Sequence, residues 1–442
     1  MSDLDKGYTE FVFDPRMLIS PPFTKCPKCQ QITFGVLSIH RDHYDKRCKN
    51  CMYPNPRKNE SSWTIPLPKI FKKVIYIDQM AISNMMKVLN PNTKAHDKID
   101  KIWFQLFEVL DKLCKMQLII CPSSDIHREE SSLSPYYDSI KRMYDLLSGG
   151  IKFTNELNLK IQQVISSLRL FLDSKQFSND ILENDLAFHQ DIHVWQDRIF
   201  LTVEFNATEE EIERARKLRD EVSEGFNVIF VKWQQSKKTF KEFYETEEKA
   251  STEIVLNDYV AFLKKQISIS DNEKVNNLFD SILSPSIILF NAVHSEVRKK
   301  YTDALESLKV TFDFFNSDNF RSIPSHKISS YMFAGIARKA SQGQKRAPSK
   351  GMLNDINIIS NYLPFCDAMF LDNECVALLK ENPAGDYINI FKSGLYSKNA
   401  MDGFFEYLEN IENSASPKHI NKLKEVYGDG WNKPYTSLYE TK

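Results

Sequence analysis

Several features are scarce in this 442-residue sequence, and each absence narrows the classes of protein to consider. Glycine occurs only 13 times against 30 phenylalanines and 18 tyrosines, which disfavours a disordered or loop-rich chain and favours packed helices. No run of about 18 apolar residues is present, so no transmembrane helix is predicted. The first 15 residues lack the basic-then-apolar pattern of a signal peptide, so we expect a cytoplasmic protein without membrane contacts.

The overall charge gives no sign of nucleic-acid binding, and the common nucleotide-binding and hydrolase motifs are missing. The net charge is −1, so any surface that binds nucleic acid has to be local. A glycine loop of the Walker type and a G-x-S-x-G elbow are both missing, which leaves an ATPase or a serine hydrolase unsupported. The length predicts two to three domains, and the sequence alone leaves the oligomeric state open.

Four of the eight cysteines form two tight pairs, "CPKC" and "CKNC", with the spacing C-x2-C-x18-C-x2-C. Four thiolates at this spacing can surround one Zn²⁺ tetrahedrally, and because the four sulfurs close the shell the zinc is expected to be structural. The predicted ligands are Cys26, Cys29, Cys48 and Cys51, so the nearby His40 and His43 are not required. Residues 1–66 are therefore assigned to a zinc ribbon with an N-terminal arm, which binds either nucleic acid or a protein partner.

The remaining cysteines stand among apolar residues and are predicted to be core thiols. They are Cys114, Cys121, Cys366 and Cys375.

Short apolar runs indicate strands in two separate blocks of the sequence. Buried strands are predicted at residues 74–77, 116–122, 368–372 and 386–391, each with helical periodicity nearby. Residues 133–340 show helical periodicity almost throughout. The prediction is an α/β fold in which residues 67–132 and 341–442 build one parallel sheet, interrupted by an all-helical insertion at 133–340 that acts as a lid, a dimer interface or a sensor.

Acidic residues occupy positions that bring them together at one edge of this sheet, the edge formed by the carboxyl ends of its strands. Asp78 and Asp372 each end a predicted strand, and the carboxyl ends of parallel strands share an edge. Asp355 begins the helix before the strand at 368–372. That helix runs roughly 15 Å away from the edge, and the strand returns roughly 16 Å, so Asp355 comes back to the same edge. By the same geometry Asp367 is expected at the opposite edge.

A further carboxylate comes from "CPSSDIHREES", where the second strand ends and a helix begins. Either Glu129 or Glu130 can face the edge, and we favour Glu130, with His127 and Asp125 as secondary candidates. Crowded carboxylates repel each other unless their pKa values rise or cations bind them, and oxygen ligands suit Mg²⁺ or Mn²⁺. Such ions hold a phosphodiester, activate a water and stabilise the leaving oxygen. Taken singly, Asp78 and Asp355 could equally serve as helix caps.

The ordered set of acids, with the segment "NDINIISNYLPFCDAMFLDN", resembles the PIN-like nuclease family. The matching positions are Asp78, Glu130 (or Glu129), Asp355 and Asp372. The resemblance implies a central parallel sheet and a Mg²⁺- or Mn²⁺-dependent endonuclease, with RNA (or DNA) as substrate. By analogy alone it suggests a toxin or an effector of phage defence. The chain departs from the family at Met80, where many members carry a small polar residue, and in its long helical insertion.

A basic stretch, "ARKASQGQKRAPSKG", precedes Asp355 and reads as a loop that could hold a phosphate backbone or simply favour solubility. Its basic residues are Arg338, Lys339, Lys345, Arg346 and Lys350. The alternative function is a non-catalytic scaffold, in which the zinc ribbon or the helical insertion recruits nucleic acid or a protein.

Overall fold

A computed structural model describes residues 14–179, 182, 184–197, 208–267 and 283–439 of the chain. Residues 1–13 of the predicted N-terminal arm lie outside these ranges. Within the described residues, two four-stranded sheets organise the fold, one antiparallel and one parallel. None of the described helices is both long enough and apolar enough to cross a membrane.

The antiparallel sheet is formed by the N-terminal part of the chain, with its strands in sequence order. Its cysteine pairs lie in the turn after the first strand and at the end of the third. Around the cysteines apolar side chains are few, and the small cluster at Phe34 includes the cysteines themselves. Val36, Ile39 and Tyr44 instead join a separate, larger core with residues of the parallel sheet, so it is the cysteine end of the module that depends on a further source of stability. Its strands are β1 (Ser20–Lys25), β2 (Ile32–Ile39), β3 (His43–Cys48) and β4 (Trp63–Pro66).

The next block contributes two strands of the parallel sheet and the helices that connect them. The predicted strand at 116–122 is shorter than expected, because Gln117 takes a left-handed conformation (φ 58°) after the preceding helix and only two residues pair. The elements are β5 (Lys73–Ile77), α1 (Gln79–Leu89), α2 (Ile102–Lys115), β6 (Ile119–Ile120), α3 (Asp125–Ser132) and α4 (Tyr137–Ser148).

Helices make up most of the described part of the following 200 positions. Several of them share a separate apolar cluster that contains Phe290, Phe314 and Phe320. The helices are α5 (Glu156–Leu172), α6 (Glu209–Gln234), α7 (Phe240–Ile267), α8 (Pro285–Arg298), α9 (Ala304–Phe315), α10 (Asp318–Arg321) and α11 (Pro324–Ser341).

The described residues between 173 and 197 are the exception to this helical content. They form one short 3-10 turn, Asn184–Ala187, and Phe188 makes an isolated bridge with Phe153. The predicted all-helical insertion is therefore wrong at this segment.

The C-terminal block completes the parallel sheet, whose order is β6-β5-β7-β8. The α/β class with a parallel sheet is thus confirmed. The strand predicted at 386–391 is wrong: this segment is helical, and the fourth strand follows it. The elements are α12 (Met352–Tyr362), β7 (Ala368–Phe370), α13 (Asn373–Lys380), α14 (Ala384–Ile388), β8 (Gly394–Tyr396), α15 (Met401–Asn413) and α16 (Pro417–Tyr427).

The parallel sheet is buried on both faces, because alternate residues of its strands enter two different cores. Ile75, Ile77 and Phe370 pack on one side with α1, α2 and α15. Val74, Tyr76 and Met369 pack on the other side with α11, α12 and α13. With both faces covered, a ligand can reach this sheet only at an edge, where the strands end.

Candidate functional site

The four predicted zinc ligands lie together in the antiparallel sheet. The Sγ atoms of Cys26 and Cys51 are 3.7 Å apart, and those of Cys29 and Cys48 are 3.6 Å apart. These separations are far too long for disulfides, and they suit four sulfurs at about 2.3 Å from one tetrahedral ion. The cluster could therefore hold a structural metal such as zinc.

Backbone amides donate to two of these sulfurs, but of the two they favour the thiolate only at Cys48, since burial raises the pKa values of Cys26 and Cys51. The amides of Lys28 and Cys51 each donate to a sulfur, over 3.4 Å to Cys26 and 3.4 Å to Cys48. Burial opposes ionisation of Cys48, but the amide of Cys51 and the hydroxyl of Thr33 outweigh it and hold the pKa of this thiol at about 6. A thiol with a pKa near 6 is available for metal binding at neutral pH.

Two of the predicted acids cap helices at the carboxyl end of the parallel sheet. Asp78 follows β5 and accepts the Met80 amide at 2.6 Å, while its own amide donates to the Phe370 carbonyl at 2.9 Å. Asp372 follows β7 and accepts the Cys375 amide at 2.7 Å. Each capping bond uses one carboxylate oxygen, so capping and cation binding are compatible at these positions.

Asp355 joins this edge from the first turn of α12. One oxygen of Asp355, one oxygen of Asp372 and the Sγ of Cys375 all lie within 4.8 Å of one another. Cys375 was predicted as a core thiol, and it is buried, but it also borders the acids. Burial and the neighbouring carboxylates raise the pKa of Cys375 far above its usual value, so it stays a neutral thiol.

Of the two glutamates in α3, Glu130 faces the acids. The Asn354 amide donates to Glu130 Oε1 at 2.8 Å, one residue before Asp355. Glu129 is exposed, and the charges that act on it are those of Asp125 and Arg128. Sequence periodicity could not distinguish the two, since neighbouring residues at a helix start each point near the edge.

The pKa values of these carboxyls show how strongly they are crowded. Burial, followed by the charges of Asp78 and Glu130 and then of Asp372 and Glu374, raises the pKa of Asp355 to about 9. Burial, with the charges of Asp372 and Glu130, raises the pKa of Asp78 to about 7. Burial also raises the pKa of Glu130. Asp355 therefore keeps its proton at neutral pH and Asp78 is partly protonated, unless a cation replaces these protons.

The two secondary candidates have other roles. His127 is buried and closes a capping box at the start of α3, where its Nδ1 accepts the Ser124 amide. Its Nε2 lies 2.7 Å from the Tyr76 hydroxyl, and burial lowers the pKa of His127 to about 3, so it stays neutral. Asp125 accepts the Asn155 side-chain amide at 3.3 Å.

Asp367 lies at the opposite edge of the sheet. Its carboxylate accepts the Val74 amide at 2.8 Å and pairs with Lys73 at 2.7 Å, at the amino end of β5. This placement follows from the length of the strand that separates Asp367 from Asp372.

The basic residues are divided between a helix and a loop. Arg338 and Lys339 belong to the last turn of α11 and not to the predicted loop, because this helix extends to Ser341. Arg338 pairs with Glu381 and lies over the Phe240 ring, so it has a packing role. Lys345, Arg346 and Lys350 are exposed in the loop before α12.

Helix α6 approaches the acids from the helical block, a contact that no sequence pattern indicated. Lys350 pairs with Asp220 of this helix at 2.9 Å. The neighbouring Arg219 lowers the pKa of Glu130 against the larger effect of burial. Half-buried Glu374 adds a further negative charge beside Asp355. These neighbours are far apart in the chain, so only the folded structure brings them together.

Comparisons of the chain with protein-family models, with curated proteins and with solved structures find no match.

Proposed function

We propose that this protein is a PIN-like, Mg²⁺- or Mn²⁺-dependent endonuclease that hydrolyses phosphodiester bonds, most readily in RNA. One observation carries the proposal: four carboxyls converge where the parallel strands end, and the pKa values of three of them, Asp78, Glu130 and Asp355, are raised. The proposed cation ligands are Asp78, Glu130, Asp355 and Asp372. The order of these acids along the chain supports the PIN-like assignment, and the proposed domain boundaries follow it.

Bound divalent cations would explain how the fold tolerates several carboxyls that are buried side by side. Buried carboxylates without compensating charge destabilise a fold, and hard cations with oxygen ligands remove that cost. Bound Mg²⁺ or Mn²⁺ would supply Lewis-acid activation of water and neutralise charge on the phosphate. The chain's own contribution is to orient the acids: the Met80 and Cys375 amides fix Asp78 and Asp372, and Asn354 fixes Glu130.

The two adjacent glutamates provide the first test. Labelled RNA and DNA are incubated with zinc-loaded protein in Mn²⁺ and, separately, in buffer freed of Mg²⁺ and Mn²⁺. We expect Mn²⁺-dependent cleavage that Glu130→Gln reduces about 10- to 100-fold, the usual range for a group that supports or tunes a metal site. Glutamine keeps an oxygen to accept from Asn354, so the variant should fold.

Glu129→Gln serves as the matched control, because it removes the same charge one residue away on an exposed position. We expect it to retain nearly full activity. Equal reductions in both variants would contradict the assignment of Glu130. Binding of nucleic acid without cleavage under every condition would favour the scaffold function instead.

The exposed loop before α12 is the proposed path for the nucleic-acid backbone. The double variant Lys345→Ala/Arg346→Ala should raise the KM for RNA several-fold and leave kcat unchanged, since neither residue touches the acids. Removing two phosphate contacts should flatten the dependence of log affinity on log salt by about 1.4 for a single strand, at about 0.7 for each contact. Fluorescence anisotropy at several salt concentrations measures this slope.

Lys418→Ala is the control for that variant, because Lys418 is exposed near the segments that lead into β5 and β6, at the opposite edge of the sheet. Its affinity and salt slope should match those of the wild type. An unchanged slope in the double variant would remove this loop from the proposed substrate path.

A further inference from the structure

A second cluster of metal-binding side chains lies on the hairpin of β2 and β3, apart from the four cysteines. Ser38 pairs with Asp45 and Ile39 with Tyr44 across this hairpin, and the His40 amide donates to the His43 carbonyl at 2.7 Å. Because alternate residues of a strand face opposite sides, Ile39 and Tyr44 enter the core while the other side carries polar groups. That polar side carries Ser38, His40, His43 and Asp45.

The side chains on this face already have the proximity that a metal ion requires. One nitrogen of His40, one nitrogen of His43 and one oxygen of Asp45 all lie within 4.8 Å of one another. The two imidazole rings stack with centroids 4.5 Å apart, and Asp45 Oδ2 lies 3.3 Å from His40 Nε2. Two tetrahedral ligands at about 2.0 Å from zinc are about 3.3 Å apart, so small rotations of these side chains complete the geometry.

Neighbouring groups hold two of the three ligands in orientation. Asp42 Oδ1 lies 2.7 Å from His43 Nδ1, an arrangement that keeps the proton on Nδ1 and leaves Nε2 as the metal-binding nitrogen. The Thr64 hydroxyl donates to Asp45 Oδ1 at 2.7 Å, which leaves Oδ2 directed toward the histidines. A histidine that binds a metal almost always donates its other ring N–H to a carboxylate, a backbone carbonyl or a water, and Asp42 fills this role for His43.

We propose that this hairpin face binds a second Zn²⁺ ion through His40, His43 and Asp45. Three protein ligands leave a fourth position for water, so this ion exchanges more readily than one enclosed by four thiolates. The turn that carries the site also packs against another segment of the chain: Arg41 pairs with Asp191, and the Ile39 amide donates to Asp197 at 3.1 Å. A bound ion would therefore stiffen the contact between the hairpin and residues 191–197. The proposal is independent of the nuclease assignment.

The test is a titration of full-length protein with Zn²⁺, following metal content by mass spectrometry and binding by calorimetry. With excess Mg²⁺ present to occupy the proposed carboxylate site, we expect two zinc ions per wild-type chain, of which a mild chelator removes only one. The double variant His40→Ala/His43→Ala should retain a single, tightly held zinc, and Asp45→Asn should weaken the second site at least about tenfold.

His189→Ala, which removes an exposed histidine elsewhere, should still bind two ions. Titration with Co²⁺ separates the two sites, because only the cysteine cluster produces sulfur-to-metal charge-transfer absorption. The proposal is overturned if the wild type binds one zinc, or if the histidine variant keeps the second ion with unchanged affinity. The Asp45→Asn variant keeps the test decisive even if the histidine variant folds poorly.

Discussion

Asparagine in place of Asp355 is expected to reduce Mn²⁺-dependent cleavage at least about 100-fold, because this ligand supports several kcal/mol of metal-based stabilisation of the transition state. Asp355 lies at the centre of the acidic edge, and the negative charges of all three other proposed ligands act on it. The measurement is single-turnover cleavage of labelled RNA at saturating protein. Asp367→Asn is the control, since it removes an acid from the opposite edge and should leave the rate of the chemical step unchanged.

Asp355→Asn should also change how the stability of the protein depends on pH when neither Mg²⁺ nor Mn²⁺ is bound. The folded pKa of Asp355 is about 9, above the ordinary value of 3.8, so the folded state holds this proton more tightly than the unfolded chain does. Without Mg²⁺ or Mn²⁺ the wild type therefore loses stability from this group as the pH rises from about 4 to about 9, and the decrease levels off above that range. Asparagine has no proton to release, so the variant should gain stability relative to the wild type across this interval.

Thermal or urea denaturation of zinc-loaded protein without Mg²⁺ or Mn²⁺, at pH 5 and pH 9, measures the difference. Mn²⁺ should then raise the Tm of the wild type and have little effect on the variant, because a cation that binds only the folded state stabilises it. A variant that cleaves RNA normally, or whose stability follows the pH profile of the wild type, would contradict the account of Asp355.

The substitution Cys48→Ser is expected to abolish zinc binding at the cysteine cluster and to unfold the cysteine end of the antiparallel sheet. Structural zinc supplies about 10–16 kcal/mol in comparable small modules, far more than a core as small as the Phe34 cluster can replace. Metal content and limited proteolysis should show one zinc fewer per chain and rapid cleavage within residues 20–66. Removal of zinc from the wild type by a strong chelator should reproduce the pattern.

Cys114→Ser is a matched control for that experiment. It makes the same chemical change at another buried cysteine, and the Leu147 carbonyl that accepts from Cys114 Sγ at 3.3 Å can also accept from a serine hydroxyl. Zinc content should be unchanged in this variant. If Cys48→Ser retained its zinc, or if the chelated protein resisted proteolysis in this region, the structural role of the cluster would be wrong.

The sequence predicted the features that depend on local patterns. The cysteine spacing and the apolar run before Asp78 each lie within a short segment, and spacing, alternation or periodicity identifies such segments directly. The placement of Asp355 and Asp372 at one edge could also be predicted, because the lengths of the helix and the strand between them follow from a fixed rise per residue. These lengths hold whatever surrounds the elements.

Residues 386–391 show where local patterns mislead. Their apolar residues suit a strand, yet Ala384 and Ile388 are buried and Ile390 is exposed, which is the spacing of a helix. Tyr387 and Phe391 also stack edge to face one turn apart. The true fourth strand is only three residues long and begins with Gly394, so its pairing with β7 comes from tertiary packing and not from propensity.

The contact between α6 and the segment that carries Asp355 also cannot be predicted from local sequence patterns. Asp220 and Lys350 are 130 positions apart, and exposed charges on a helix normally indicate a solvated face. The choice between Glu129 and Glu130 was decided in the same way by a distant partner, the amide of Asn354.

The most direct test of the central claim is a crystal structure of the zinc-loaded protein soaked in Mn²⁺, with anomalous diffraction data that distinguish manganese from zinc. We predict a manganese peak at the carboxyl end of the parallel sheet, within about 2.5 Å of oxygens of Asp355 and Asp372. A map with zinc at the cysteines and no manganese at this edge, at millimolar Mn²⁺ and pH 8, would contradict it.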